Sequence, residues 1–213
     1  MERCRRLVVL AALLGAALAV VGAAAAGTSR KQPLRQPLAV SLAGQWQTWW
    51  GSAAFTPGGV TLASAVPTSP AETHSALVTT KRTWSDPSIA FTTSTLAQLR
   101  TGSAPNTWEV GWVMFRFRDL SNYYYFMVKT NGYELGKKQG SDAQIFLATG
   151  DFPQLALNKP RKVTVQAQGP RIRISVDGVQ VVDFTDPHPL LGAGSVGLYE
   201  EDSQVQFAGV TAS

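Results

Sequence analysis

The sequence has one cysteine and two histidines in 213 residues, and those scarcities remove whole classes of chemistry. Cys4 stands ahead of a long apolar stretch, so the chain beyond it forms no disulfide, offers no thiol nucleophile and gives no thiolate to a metal. His74 falls in a polar segment and His188 between Pro187 and Pro189, neither with a second ligand at metal-binding spacing. There is no nucleophile elbow for Ser-His-Asp catalysis, no phosphate-binding loop and no dinucleotide fingerprint. Past residue 45 no stretch holds a 3.6-residue apolar period over three turns. Charge is modest too. Of the formal net +5, Arg3, Arg5 and Arg6 against Glu2 supply +2, and the remainder is too mild for nucleic acid, which calls for clustered basic residues.

What is present begins with a leader. Residues 1–6 are basic, 7–26 are apolar and alanine-rich, and the small residues at 24–26 suit cleavage, so 1–26 reads as a secretory signal. The run is also about long enough to span a bilayer, and an uncleaved anchor is the alternative and the one route to a membrane. Both readings place the rest of the chain outside the cytoplasm, secreted or in the cell envelope. Residues 27–44, with prolines, basic residues and no apolar period, read as a tether. Residues 45–213 form one domain, long enough to build its own core.

Within that domain the signals are those of strands. Short segments rich in Val, Ile, Thr, Phe, Tyr and Trp recur between Gly, Pro, Asn and Asp. They lie at 45–50, 60–64, 76–80, 89–100, 107–118, 123–130, 133–137, 144–149, 162–167, 171–177, 179–184, 194–199 and 205–211. Asn131-Gly132 and Asp177-Gly178 have the residues of type I′ hairpin turns, where both central positions need positive φ. The pattern predicts an all-β fold, a two-sheet antiparallel sandwich of the jelly-roll kind.

The segment from Thr107 to Lys138 carries the functional signal. A turn at 119–122 would oppose Arg116 to Tyr125 and Trp112 to Lys129, and a two-residue Asn131-Gly132 turn would oppose Lys129 to Glu134. Opposed residues share a face and sequence neighbours alternate. One face then holds Val113, Phe115, Phe117, Tyr124, Phe126, Val128 and Leu135, a core face. The other holds Trp108, Trp112, Arg116, Arg118, Tyr123, Tyr125, Lys129, Glu134 and Lys138. Rings edged with hydrogen-bonding groups suit a sugar, whose C–H faces stack while its hydroxyls need polar partners. The competing reading is a second packing layer under a loop, with the charges reaching out to water. Gln98, Arg100 and Gln144 alternate with apolar neighbours and are candidates for the same surface.

The segments TLAQLR, NTWEVGWVMFRFRDLSNYYYFMVKTNGYELGKK, QIFLATG, RIRISVDGVQVVDFTD and GSVGLYEEDSQVQFAGV together resemble the concanavalin A-like lectin/glucanase superfamily, nearest its DUF1080 (3-keto-disaccharide hydrolase-like) and laminin-G-like jelly rolls. The likeness covers about residues 90–213. It implies two face-to-face sheets with the ligand groove on the concave one. The glucanases of that superfamily take two carboxylates from a Glu-x-Asp-x-Glu strand, which this chain lacks, and Glu200, Glu201 and Asp202 read as a solvated acidic turn. Its lyases have a cation, a base and an acid, for which Arg100, Gln98, Lys129, Tyr125 and Gln144 are the right residue types. Phe146, however, stands where those lyases carry histidine. Calcium at 200–202 or Asp119 is what the superfamily implies, although neither stretch matches a calcium loop, and no other cofactor is expected.

The expectation is therefore an exported domain binding a poly- or oligosaccharide, one with acidic groups if the cations converge. Its ligand residues would be Arg100, Trp108, Trp112, Arg116, Tyr125, Lys129, Glu134 and Gln144. A polysaccharide lyase or glycoside-cleaving enzyme in the same groove is the alternative, and an envelope protein meeting another protein through its aromatic face is a third.

Overall fold

Apolar residues at every second position build one half of the molecule. Val163, Val165 and Ala167 are buried while Lys162, Gln166 and Gln168 face water, and Ile172, Ile174 and Val176 repeat the pattern on the next strand. The computed structural model describes residues 43–141 and 143–213. The leader expected at 1–26 and nearly all of the tether expected at 27–44 lie outside them.

Fourteen strands follow a short 3₁₀ turn: β1 (Trp46–Trp50), β2 (Ser52–Thr56), β3 (Gly59–Ala63), β4 (Ser75–Trp84), β5 (Ser88–Gln98), β6 (Gly111–Asp119), β7 (Asn122–Lys129), β8 (Gly132–Gln139), β9 (Ile145–Gly150), β10 (Arg161–Gln168), β11 (Arg171–Val176), β12 (Val179–Thr185), β13 (Gly194–Glu201) and β14 (Ser203–Ala212). They form two seven-stranded antiparallel sheets. The front sheet runs β1-β4-β13-β6-β7-β8-β9 and the back sheet β12-β11-β10-β5-β14-β3-β2. This is the all-β, two-sheet jelly roll expected from the sequence. Each of the thirteen expected segments holds a strand, and β2 is the addition.

The core lies between the sheets, where Val113, Phe115, Tyr124, Phe126 and Leu135 of the front meet Phe91, Val165, Ile174 and Phe207 of the back. The central front strands are buried on both faces. β6 and β7 show unbroken buried runs rather than alternation, so the outer face of this sheet is also lined and covered.

Two pairings differ from expectation. β6 and β7 begin at Asp119↔Asn122 as expected, but beyond it Phe115 opposes Tyr124, Met114 opposes Tyr125 and Trp112 opposes Met127. Extra residues of β6 are taken up in a bulge at Arg116, whose φ is 48°. Gly194 makes the bulge possible, because a Cβ there would lie 2.3 Å from the Arg116 carbonyl carbon. The second hairpin closes at Lys129↔Gly132, so its loop is Thr130-Asn131 and Met127, not Lys129, opposes Glu134. Gly132 serves close approach instead, since a Cβ would meet the Gly150 carbonyl oxygen at 1.9 Å. Asp177-Gly178 is the turn expected of it, with φ of 52° and 86°.

Candidate functional site

The outer face of the front sheet carries a layer of rings. Trp112 lies 5.0 Å from Tyr125 and 5.2 Å from Tyr199, Phe117 lies 5.8 Å from Tyr123, and Trp49 closes on Phe117 at 5.5 Å. Tyr125 lies flat because β8 has no side chain beneath it: a Cβ on Gly136 would sit 2.3 Å from the Tyr125 hydroxyl. That hydroxyl donates to Glu134 Oε1 at 2.9 Å, and Lys129 Nζ reaches Glu134 Oε2 at 2.9 Å. Burial, then the carboxylate beside it, pushes the Tyr125 hydroxyl well above the ordinary phenol range, so it stays a donor.

Above this floor is a cleft of about 510 Å³, bounded by Thr107, Trp108, Trp112, Met127, Lys129, Asn131, Glu134, Gln144, Phe146 and Glu201. Trp108 and Phe146 are its exposed rims, at 43% and 64% exposure. Trp108 stands on the β5–β6 loop rather than on a strand. Thr130 N–H donates to Thr107 O at 3.2 Å and Trp112 Nε1 to Trp108 O at 2.9 Å, which ties the loop to the β7–β8 turn beside Lys129. Arg100 fastens the same loop from behind. Its guanidinium pairs with Glu109, binds Asp202 Oδ2 at 2.8 Å and donates to Pro70 O at 2.7 Å.

The acidic stretch that ends β13, read as a turn from sequence, is not solvated. Glu200 and Asp202 are fully buried, and Glu201 turns into the cleft wall. Tyr199 donates its hydroxyl to Glu201 Oε1 at 2.6 Å. Burial, more than any other influence, raises the Glu201 carboxyl above the ordinary range, and it pushes Glu200 up to about 7. Most of their oxygens are already hydrogen-bonded within the protein. Asp202 spends its oxygens on His74 N–H and Arg100, Glu200 Oε2 accepts from the Ser203 N–H and hydroxyl, and Asp119 caps its own turn through Ser121 and Asn122. Among the described residues no three His, Cys, Asp or Glu side chains converge as a metal site.

Of the eight expected ligand residues, Trp108, Trp112, Lys129, Glu134 and Gln144 line the cleft together. Tyr125 lies beneath it, fully buried, and reaches it only through Glu134. Arg100 is behind the loop. Arg116 is on the opposite face, 1% exposed, because the bulge turns it inward onto the carbonyls of Ser85, Leu190 and Gly169 and the Asp86 carboxylate. The same turn brings Phe117, expected in the core, out against Tyr123. The cleft also contains Met127, Phe146 and Glu201, which the sequence reading did not select. Phe146 has the strand parity of Gln144, and Glu201 that of Tyr199, so alternation was an available signal for both.

No family model and no curated protein matches the chain. Solved structures do. The carbohydrate-binding module CBM66 from Bacillus subtilis superimposes with a TM-score of 0.63 at 22% identity over 79% of this chain and 94% of the module. A Bacillus subtilis protein of unknown function with a galectin-like fold gives 0.53 at 12% identity, over 79% and 89%. The calcium-bound exoplasmic/lumenal domain of VIP36 gives 0.56 at 13%, over 79% and 82%. At these identities the likeness is one of fold: the described residues form a two-sheet jelly roll of concanavalin A-like architecture.

Proposed function

We propose that this domain binds carbohydrate in the front-sheet cleft and works outside the cytoplasm, delivered there by its leader. One observation carries the reading: exposed Trp108 and Phe146 flank a Lys129–Glu134 pair over a floor of Trp112 and Met127. Rings take the C–H faces of a sugar, and the ion pair presents both donors and acceptors to its hydroxyls. Like folds in CBM66 and in the mannose-bound form of VIP36 support the assignment. The β13–β14 segment, with its Gly-x-Val-Gly-Leu-Tyr opening, supports kinship with the DUF1080 and laminin-G-like jelly rolls.

The ligand is neutral rather than acidic. With Arg100 and Arg116 committed elsewhere, Lys129 is the one cation lining the cleft among the described residues, and Glu134 already neutralises it. A polyuronate would meet no spare positive charge, and it would also face Glu201. Affinity electrophoresis and calorimetry on neutral polysaccharides test the reading with Trp108→Ala and Lys129→Ala. Each loses about fivefold in affinity or more, because stacking and a charged hydrogen bond are each worth about 1 kcal/mol or more. Full retention by both variants would remove the cleft as the site.

A second reading, glycoside cleavage, is favoured by one observation: Glu134 and Glu201 are two carboxyl groups in one cleft with unlike surroundings, one paired with Lys129 and one raised by burial. Release of reducing ends, lost in both Glu134→Gln and Glu201→Gln, would support it, and no release from any bound sugar would exclude it. The lyase alternative has no such support, since neither His74 nor His188 lines the cleft.

A further inference from the structure

The cleft lies toward one edge of the front sheet, and the outer face continues from it to the other edge. Strand pairing sets Phe146, Gly136, Tyr125, Met114, Gly197 and Thr79 in one row across β9, β8, β7, β6, β13 and β4. Opposed residues share a face, so the row crosses the strands on the side that bears the cleft. Its inner members are buried, and Phe146, on the cleft wall, stands open at one end. Trp49 of β1 stands at the other end, 39% exposed, its Nε1 donating to Thr79 Oγ1 at 2.9 Å. Six strand spacings of about 4.8 Å separate β9 from β1, so the two open rings lie about 29 Å apart along the sheet.

Trp49 owes its place to a local irregularity. The β1–β4 register shifts between Thr48 and Trp50, so Trp49 and Trp50 both lie on the outer face instead of alternating. The Trp49 ring is held edge-on against Phe117 at 5.5 Å and Trp50 at 6.3 Å, and the Thr79 bond fixes its orientation. A ring fixed in advance and left open loses little freedom when a ligand stacks on it. The face between the two ends is continuous. Trp50 lines a hollow of about 110 Å³ that shares Trp112, Gln144 and Glu201 with the cleft. Gln144 and Glu201 offer the hydroxyls of a sugar an amide and a carboxyl on the way across. A single sugar, or the tip of a glycan, would fill the cleft and leave Trp49 untouched. Two open stacking rings at the ends of one row fit a ligand that repeats along its length.

From this arrangement we infer that the ligand is a polysaccharide chain lying across the strands of the front sheet, held in the Trp108–Phe146 cleft and again by Trp49, a second stacking platform at the opposite edge. The inference rests on the carbohydrate-binding reading above. Affinity electrophoresis on neutral polysaccharides selects the polymer, and calorimetry then follows its oligosaccharides from two units to eight with the full chain and with Trp49→Ala. In the wild-type chain affinity should keep rising after the cleft is filled, and the last rise should be about fivefold or more, as for one stacked ring. Trp49→Ala should remove that rise and leave disaccharide affinity unchanged, which also reports that the variant is folded. A wild-type series that is flat beyond the shortest ligands would overturn the inference and leave carbohydrate binding intact. An equal rise in Trp49→Ala would overturn it too, and so would loss of disaccharide binding in that variant, which would make Trp49 a structural residue. Binding to no neutral polysaccharide or oligosaccharide would overturn the parent reading, and this one with it.

Discussion

Glu200 should make the domain lose stability as pH rises, the reverse of the usual behaviour of a native-state carboxylate. Its side chain is fully buried at the end of β13. One oxygen accepts the Ser203 N–H at 2.8 Å and the Ser203 hydroxyl at 3.1 Å, while Oε1 has no partner. Burial raises its pKa from 4.5 to about 7. The folded chain therefore holds this proton more tightly than the unfolded chain does. Below about pH 4.5 both states are protonated and nothing is lost. Between 4.5 and 7 the unfolded state releases its proton while the folded state keeps it, and stability declines through that window. At about 1.4 kcal/mol per pKa unit the full loss is about 3 kcal/mol, complete above pH 7.

Glu200→Gln isolates the effect, because glutamine keeps an acceptor for Ser203 and never ionises. Urea unfolding of both proteins at pH 4.5 and pH 8 gives the comparison, and titrations common to the two chains largely cancel in the difference. The variant should gain about 3 kcal/mol relative to wild type on going to pH 8. With a urea m-value of about 2 kcal/mol/M, that is a relative midpoint shift of about 1.5 M at unchanged m. Parallel midpoints for the two proteins at both pH values would refute the reasoning, since they would mean that Glu200 ionises in the folded chain as readily as in water.

Two further substitutions probe placement. Arg116→Met leaves the Asp86 carboxylate and three carbonyls without their buried donor and should cost about 3 kcal/mol or more in thermal or urea unfolding. Sugar affinity of the folded fraction should be unchanged, because Arg116 does not reach the cleft. Gly136→Ala sets a methyl against the Tyr125 hydroxyl and should cost about 1–3 kcal/mol in the same assay, with weaker sugar binding as the Tyr125–Glu134 bond shifts.

The fold was legible because alternation and turn residues are local signals. Val163 to Ala167 and Ile172 to Val176 state their pleat directly, and Asp177-Gly178 states its turn. Strand β2, Ser52–Thr56, escaped because Ser-Ala-Ala-Phe-Thr carries one large apolar residue and sits at a sheet edge, where packing asks little of it. Both register errors were shifts of two residues. A shift of two preserves parity, and so Trp112, Tyr125 and Glu134 stayed on the correct face although their partners changed. Lys129 still reaches Glu134, diagonally instead of directly across.

The bulge is another matter, because it changes parity within one strand. From sequence, Arg116 and Arg118 extend the Trp112 face without a break. Nothing in Phe-Arg-Phe-Arg announces a positive φ, and the residue that permits one, Gly194, lies 78 positions away in another strand. Arg116 could therefore be placed only by tertiary contact. The acidic turn failed for a related reason. Three adjacent acids look solvated when counted alone, and their counterion, Arg100, lies 102 positions from Asp202, farther in sequence than Gly194 is from Arg116. Once Arg100 leaves the ligand surface to hold Asp202 and Glu109, it becomes a positioning residue for the Trp108 loop, and Glu201 takes a place on the cleft wall. The two exchanges act together on ligand choice. Both arginines are withdrawn from the cleft and a carboxyl is added, and so the cleft that remains is lined by one cation, Lys129, paired with Glu134, and by a second carboxyl, Glu201.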